Sequence, residues 1–291
     1  MVKIIRTIEE LTSITGQLKE ANKTIGFVPT MGYLHEGHTT LMDQSKTYAD
    51  ILIVSIFVNP RQFGPNEDFE RYPRDEKTDQ TIAAEHDVDY LFMPSVDEMY
   101  PGNDVVTLHV TDRVDVLCGK SRPNHFDGVA TVLTKLFHLT RADYVFFGLK
   151  DAQQVAVVKG LVDTFNFPVK IIAVPTVREV DGLAKSSRNV YLSDKERQEA
   201  IYLFKALKEA KQLIIDGEKN PVMIKEKVKK YIEHHTNGKI DYVDILTFPS
   251  LDTVEKINQQ IIIAVAVQFT KARLIDNIIV EPSGTVPYAI I

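Results

Sequence analysis

The sequence predicts an α/β protein, a parallel sheet with helical crossovers followed by a smaller α+β domain. Strand-like and helix-like stretches alternate up to about residue 177. Residues 51–58 (I-L-I-V-S-I-F-V) are nearly continuous β-branched apolar sequence, the mark of a parallel strand buried on both faces. After Asn189 the order changes to two helices and then a short run of strands. We expect residues 1–184 to form the first domain and residues 185–291 the second.

The elements follow in order. Residues 25–28 are bulky and apolar and read as a buried strand, ended by Pro29, which has no N–H for a sheet ladder. Gly32 and Gly37 let the backbone turn and approach a partner, and Thr39-Thr40-Leu41-Met42 begins a helix. Residues 75–85 are polar and helical, and residues 89–93 and 105–110 are short strands. Asp127 caps a helix reaching about His138, with Val129, Val132, Leu133, Leu136 and Phe137 on one face. Residues 143–147 form a strand, and residues 151–165 a helix with Val155, Val158, Val162 and Phe165 inward. Residues 169–174 form a strand closed by Pro175. Ser193 and Glu196 make a capping box for a helix whose inner face holds Ala200, Ile201, Leu203, Phe204, Leu207, Ala210 and Ile214. A lysine-rich helix over residues 221–235 and strands over 242–247, 260–269 and 274–280 complete the chain.

Composition narrows the function. The chain has 291 residues, 44% apolar and 25% charged, ordinary values for a soluble globular protein. Its net charge of -6 argues against a nucleic-acid partner, which calls for a basic surface. The single cysteine, Cys118, allows no internal disulfide and fits a cytoplasmic setting. The first ten residues lack the apolar core of a signal peptide, and the longest apolar run, residues 261–267, is too short to span a bilayer.

In open parallel sheets ligands bind beyond the carboxyl ends of the strands, so the residues just past each strand are the ones to inspect. They are His35-Glu36-Gly37-His38, then Asn59-Pro60-Arg61-Gln62, then Gly148-Leu149-Lys150-Asp151 with Gln154, and then Lys185-Ser186-Ser187-Arg188. Strand, glycine turn and helix start is a layout in which backbone N–H groups face an anion. His35 and His38 read as phosphate contacts, as a metal pair or as satisfied loop histidines; the zinc-protease pattern needs a spacing of four, not three. Lys150 beside a helix start is a cation against the positive end of the dipole, a conflict that a bound anion offsets. It also reads as a solvated lysine, and Asp151 as a helix cap. The two glutamines, Gln62 and Gln154, suit a ligand carrying both a hydroxyl and a carboxylate.

The H-x-G-H element and a distal K-S-S-R loop similar to a KMSKS loop resemble the nucleotidyltransferase superfamily. The strings P-T-M-G-Y-L-H-E-G-H (29–38), F-V-N-P-R-Q-F (57–63), H-F-D-G-V-A-T-V (125–132), F-G-L-K-D-A-Q-Q (147–154) and S-S-R-N-V-Y-L (186–192) resemble the pantothenate synthetase, or pantoate–β-alanine ligase, family. The resemblance covers the first two-thirds of the chain and implies a Rossmann-like sheet. It implies condensation of pantoate with β-alanine using ATP and Mg²⁺, through a pantoyl adenylate, on the route to coenzyme A. It places ATP against Met31, Gly32, Tyr33, Leu34, His35, Glu36, Gly37, His38, Gly148, Leu149, Lys150, Asp151, Val177, Lys185, Ser186, Ser187 and Arg188. Gln62 and Gln154 would hold pantoate, and Gln62 would also meet β-alanine. His35, His38, Lys150 and Arg188 would stabilise charge at the reacting phosphate, with His38 at the family's proton-donor position. It names no protein ligand for the metal, and it implies a homodimer. The loop at Lys185 would hinge the second domain over the nucleotide. Two positions depart from the family, which often has Glu where Leu149 stands and an apolar residue where Lys185 stands.

Overall fold

The computed structural model describes residues 2–65 and 67–286. They fold as two compact units, the first comprising residues 2–114, 119–148 and 157–174, and the second residues 115–118, 149–156 and 175–286. The first unit holds a six-stranded sheet of β1 (Lys3–Ile5), β2 (Ile25–Thr30), β3 (Ile51–Ile56), β4 (Tyr90–Phe92), β5 (Tyr144–Gly148) and β6 (Lys170–Val174). All neighbours are parallel, in the order β1-β4-β3-β2-β5-β6. The chain steps from β2 outward through β3 to β4, then returns to place β5 and β6 on the other side of β2. That reversal makes the carboxyl end of β2 the topological switch point, where a crevice opens for a ligand.

The helices are α1 (Ile8–Glu20), α2 (Glu36–Ser45), α3 (Glu76–Glu85), α4 (Val96–Met99), α5 (Leu117–Ser121), α6 (His125–Thr140), α7 (Ala152–Phe165), α8 (Asp194–Ile215) and α9 (Pro221–His235). Gly26 lets α2 lie close on β2, since a Cβ there would meet Ser45 Oγ at 2.1 Å. Val28, Leu41, Met42, Val54, Leu91 and Phe146 pack together in the core of this unit.

Several expectations are corrected. Pro29 lies inside β2 opposite Ser55 rather than ending the strand. The pairing of β2 with β5 covers Gly26 and Phe27, so past that point one edge of β2 makes no ladder and tolerates a residue without an N–H. Residues 105–110 form no strand, and Val105 and Val106 are 98% and 80% exposed. α2 begins at Glu36, three residues before the expected start, so the histidines belong to the helix end. α6 begins at His125; Asp127 sits in its first turn and accepts the Val110 N–H at 2.8 Å. Phe165, expected inward, is 54% exposed at the last position of α7. β1 and α1 are additional to the expected elements, although Thr7 and Glu10 have the spacing of a cap, and Thr7 Oγ1 accepts the Glu10 N–H.

The second unit pairs β7 (Lys239–Thr247), β8 (Ile261–Gln268) and β9 (Arg273–Val280) as an antiparallel meander. Leu203, Leu207, Ile224 and Val228 of α8 and α9 pack with Ile263 and Val265 of β8. The capping box at Ser193 is formed, with the Ser193 N–H donating to Glu196 at 2.9 Å and the Glu196 N–H donating to Ser193 Oγ at 3.4 Å.

Candidate active site

The segment leaving β2 turns through two left-handed residues, Gly32 (φ 83°) and Tyr33 (φ 53°). A buried carboxylate holds the turn: Asp79 of α3 accepts the N–H groups of Tyr33 at 2.9 Å and Leu34 at 2.7 Å. Burial raises the Asp79 pKa, and the two N–H donors only partly oppose that rise. The chain then enters α2 with His35 as the N-cap and His38 in the first turn.

Both imidazoles use Nδ1 as an acceptor. His35 Nδ1 takes the Gly37 N–H at 3.1 Å, and His38 Nδ1 takes the His35 N–H at 3.3 Å. This pattern assigns the proton of each neutral ring to Nε2, the far side from the backbone. The rings lie 4.1 Å apart between centroids. A Cβ at position 37 would meet His35 Cε1 at 2.9 Å, so the glycine leaves room for the ring to fold back. Two Nε2–H donors at a helix N-terminus form a set suited to an anion. Among the described residues, no group of three or more His, Cys, Asp or Glu side chains is arranged to hold a metal ion.

β3 leads into a 3-10 turn, Pro60–Gln62, capped by Asn59, whose side chain accepts the Arg61 N–H. Asn59 is 1% exposed and fully bonded: Nδ2 donates to Gln62 Oε1 at 3.2 Å and to the Gly128 carbonyl at 3.0 Å, and Oδ1 also accepts from Tyr100 Oη at 2.9 Å. The Gln62 amide is thus oriented. Among the described residues its Nε2 donates to a thioether, Met31 Sδ at 3.1 Å, a weak acceptor that a ligand oxygen would outcompete. The structure so brings together Met31 and Gln62, for which the family resemblance implies contacts to ATP and to pantoate.

The backbone of this turn is held too. His125 Nδ1 donates to the Gln62 carbonyl at 2.7 Å, and Arg122 Nη2 reaches the same oxygen at 3.3 Å. Arg122 also clasps Glu67 through Nε at 2.8 Å. Burial pushes the Glu67 carboxyl up, but the Arg122 bonds outweigh it and leave the pKa lowered. Burial pushes the Tyr100 phenol up to about 12, against the Arg61 guanidinium whose Cζ sits 3.8 Å from its ring centroid. Asn59, Tyr100, Arg122 and His125 received no role from the sequence. Asn59 and His125 lie inside two of the strings singled out; nothing local marks Tyr100.

The second unit carries the cationic segments. Lys150 lies in a 3-10 turn, Leu149–Asp151, immediately before α7, with its Nζ 3.6 Å from Asp151. Gln154, in the first turn of α7, is partly buried. Leu149, where the family often has Glu, is buried. Residues 177–185 form a hairpin closed by the Lys185 N–H on the Val177 carbonyl at 2.9 Å. Lys185 Nζ pairs with Glu179 at 3.1 Å. Ser186 caps the next 3-10 turn, Ser187–Tyr191, by accepting the Arg188 N–H at 3.3 Å. Lys150 and Ser186 line one small cavity with Ala184, Asn189, Ile275 and Asp276.

The family model described as pantoate–β-alanine ligase matches residues 3–279. The pantothenate synthetase of Bacillus cytotoxicus is 59% identical over 277 residues, 95% of this chain and 98% of that protein. The pantothenate synthetase of Geobacillus sp. is 58% identical over 274 residues, 94% of this chain and 97% of that protein. The crystal structure of pantothenate synthetase from Thermus thermophilus superposes with a TM-score of 0.90 at 38% identity, covering 95% of this chain and 99% of that one. The pantoate–β-alanine ligase of Francisella tularensis, crystallised with β-γ ATP and β-alanine, superposes at 0.78 with 35% identity, covering 97% of this chain and all of that one.

Proposed function

This chain belongs to the pantoate–β-alanine ligase family, and we propose that it condenses (R)-pantoate with β-alanine using ATP, releasing AMP and pyrophosphate through a pantoyl adenylate. The observation that carries this reading is the pair of imidazoles, His35 and His38, whose Nδ1 atoms cap the start of α2 at the switch point of the sheet. Adenylation needs such groups. The pantoate carboxylate is ionised at neutral pH and attacks the α-phosphorus without a base. A carboxylate oxygen–phosphorus bond forms, and the bond to the pyrophosphate oxygen breaks. The protein's task is to align these oxygens and to stabilise charge as it moves onto the leaving group.

In this reading residues 31–38, 148–151, Val177 and 185–188 contact ATP, and His35, His38, Lys150 and Arg188 stabilise the reacting phosphates. Gln62 and Gln154 hold pantoate, and Gln62 also meets β-alanine. The orientation of Gln62 supports its part: with Oε1 engaged by Asn59, its Nε2 is the end offered to a hydroxyl or carboxylate oxygen. Mg²⁺ would arrive with the nucleotide and would supply neutralisation of phosphate charge there. In the second step the β-alanine amine loses a proton and attacks the acyl carbon, and AMP departs.

Residues 1–184 serve nucleotide and pantoate, and residues 185–291 serve as a lid. The enzyme works as a cytoplasmic homodimer. Supporting the setting is the single cysteine, which allows no internal disulfide.

Pyrophosphate exchange into ATP, with Mg²⁺ and pantoate but no β-alanine, tests the reading. Exchange that requires pantoate is the expected result. Nucleotide binding without exchange would point instead to a sensor, and exchange with another acid to another transferase.

A further inference from the structure

The C-terminal third of the chain carries no recognisable motif, yet two neighbouring residues of β9 hold two of the segments assigned to ATP. We propose that Asp276 and Asn277 are positioning residues that fix the Lys150 turn and the 177–185 hairpin relative to each other. The inference rests on the reading that those segments act on the nucleotide.

Asp276 is 3% exposed, and its carboxylate meets Arg178 as a fork, Nη1 to Oδ2 at 2.7 Å and Nη2 to Oδ1 at 2.9 Å. Arg178 stands in one arm of the hairpin, and its Nη1 also donates to the Gly182 carbonyl at the tip, at 3.1 Å. The Arg178 guanidinium is stacked on Phe204 of α8, 3.5 Å from the ring centroid. One buried carboxylate therefore fixes both arm and tip of the hairpin whose closing bond joins Val177 to Lys185. A planar fork on a carboxylate sets direction as well as distance.

Asn277 is 8% exposed. Its Nδ2 donates to two successive carbonyls, Leu149 and Lys150, each at 2.9 Å. Both amide protons are spent on one turn, so the peptide planes on either side of the Lys150 Cα are held. That determines where the Lys150 stem leaves the backbone. The two side chains are also tied to each other, because the Asn277 N–H donates to Asp276 Oδ1 at 2.8 Å. Successive residues of a strand point to opposite faces, which lets an adjacent pair reach two separate segments.

The test uses pantoate-dependent pyrophosphate exchange by the full-length protein, with thermal midpoint and circular dichroism as the check on folding. Asn277→Ala removes both donors, and Asn277→Leu removes them while keeping the volume. Each is expected to fold and to lower the exchange rate by about 10- to 100-fold, the usual effect of a misplacement near 1 Å. In a Lys150→Ala background the same substitutions should cost less than about twofold, because a turn that no longer carries the cation has nothing to aim. Asp276→Asn should raise KM for ATP more than it lowers kcat.

Folded Asn277 variants with unchanged exchange would overturn the proposal. So would losses that simply multiply with that of Lys150→Ala, which would mark a general packing role, or unfolding of both variants. An unchanged rate for Lys150→Ala alone would overturn the nucleotide reading of that lysine itself, and the positioning role with it.

Discussion

A Cβ on Gly128 would stand 2.2 Å from the carbonyl oxygen of Arg61 and 2.6 Å from the Gln62 nitrogen. The glycine in α6 is therefore what allows the turn carrying Gln62 to rest on that helix, where its neighbours Asn59 and His125 hold it. Gly128→Ala should displace the turn. We expect a loss of about 1–3 kcal/mol in stability from overpacking and a drop of about 100-fold in turnover from misplacement of Gln62. Gly16, in α1, is the control: its Cβ would meet nothing within 4 Å, so Gly16→Ala should stabilise by about 0.5–1 kcal/mol. Denaturant titration and exchange kinetics on both variants check the contrast, and equal effects would contradict it.

The division of labour between the two nitrogens of His38 gives a second prediction. Asparagine places an amide near the Nδ1 position and keeps an acceptor for the His35 N–H, but it does not reach the Nε2 position. His38→Asn should therefore fold with an unchanged midpoint and lose roughly 100- to 1000-fold in turnover, the cost of one well-placed donor. His38→Gln, whose amide extends toward the Nε2 position, should retain more activity than the Asn variant. The reverse order would show that the cap, not the distal donor, is what the reaction needs.

Tyr100 predicts alkaline behaviour. Its phenol donates to Asn59, and burial raises its pKa from 10.0 to about 12. A raised folded pKa means that this contribution to stability is fully present below pH 10 and is lost as pH climbs through 12. Urea midpoints from pH 9 to pH 12 should fall more steeply for the parent than for Tyr100→Phe, which has no proton to lose. Parallel curves would exclude the coupling.

Glu196 predicts the opposite limb. The N–H groups of Ser193 and Thr270 hold its carboxyl down to about 2, from 4.5. A depressed folded pKa means stability that is present above pH 4.5 and lost as pH falls toward 2. Glu196→Gln titrates no proton there, so its thermal midpoint should decline less between pH 6 and pH 3 than that of the parent. An identical decline would remove Glu196 from the acid limb.

The sequence by itself determined what short windows encode. The apolar run of residues 51–58, the alternation of strand and helix, the capping box at Ser193 and the turn chemistry around Gly32 and Gly37 are all local, and each corresponds to an element of the fold. Periodicity alone was not enough where pairing was needed. Residues 105–110 alternate like a strand, but a strand exists only beside a neighbour, and Val105 stands almost fully exposed. The start of α2 was displaced for a related reason. Glycine and two histidines are weak helix formers, and the helix begins there because the rings themselves cap it.

Tertiary structure decided the partners. Arg178 meets Asp276 across 98 residues, Asn277 meets Leu149 and Lys150 across 128 and 127, and Cys118 receives Arg273 from 155 residues away. No window of sequence holds both members of such a pair. A hydrogen bond between side chain and distant backbone carries no periodicity, and its cause is the packing of whole elements, which brings the groups to bonding distance only after the chain has folded. Local composition therefore marks the candidate ligand contacts, whereas the long-range partners that hold their segments emerge only when the fold is complete.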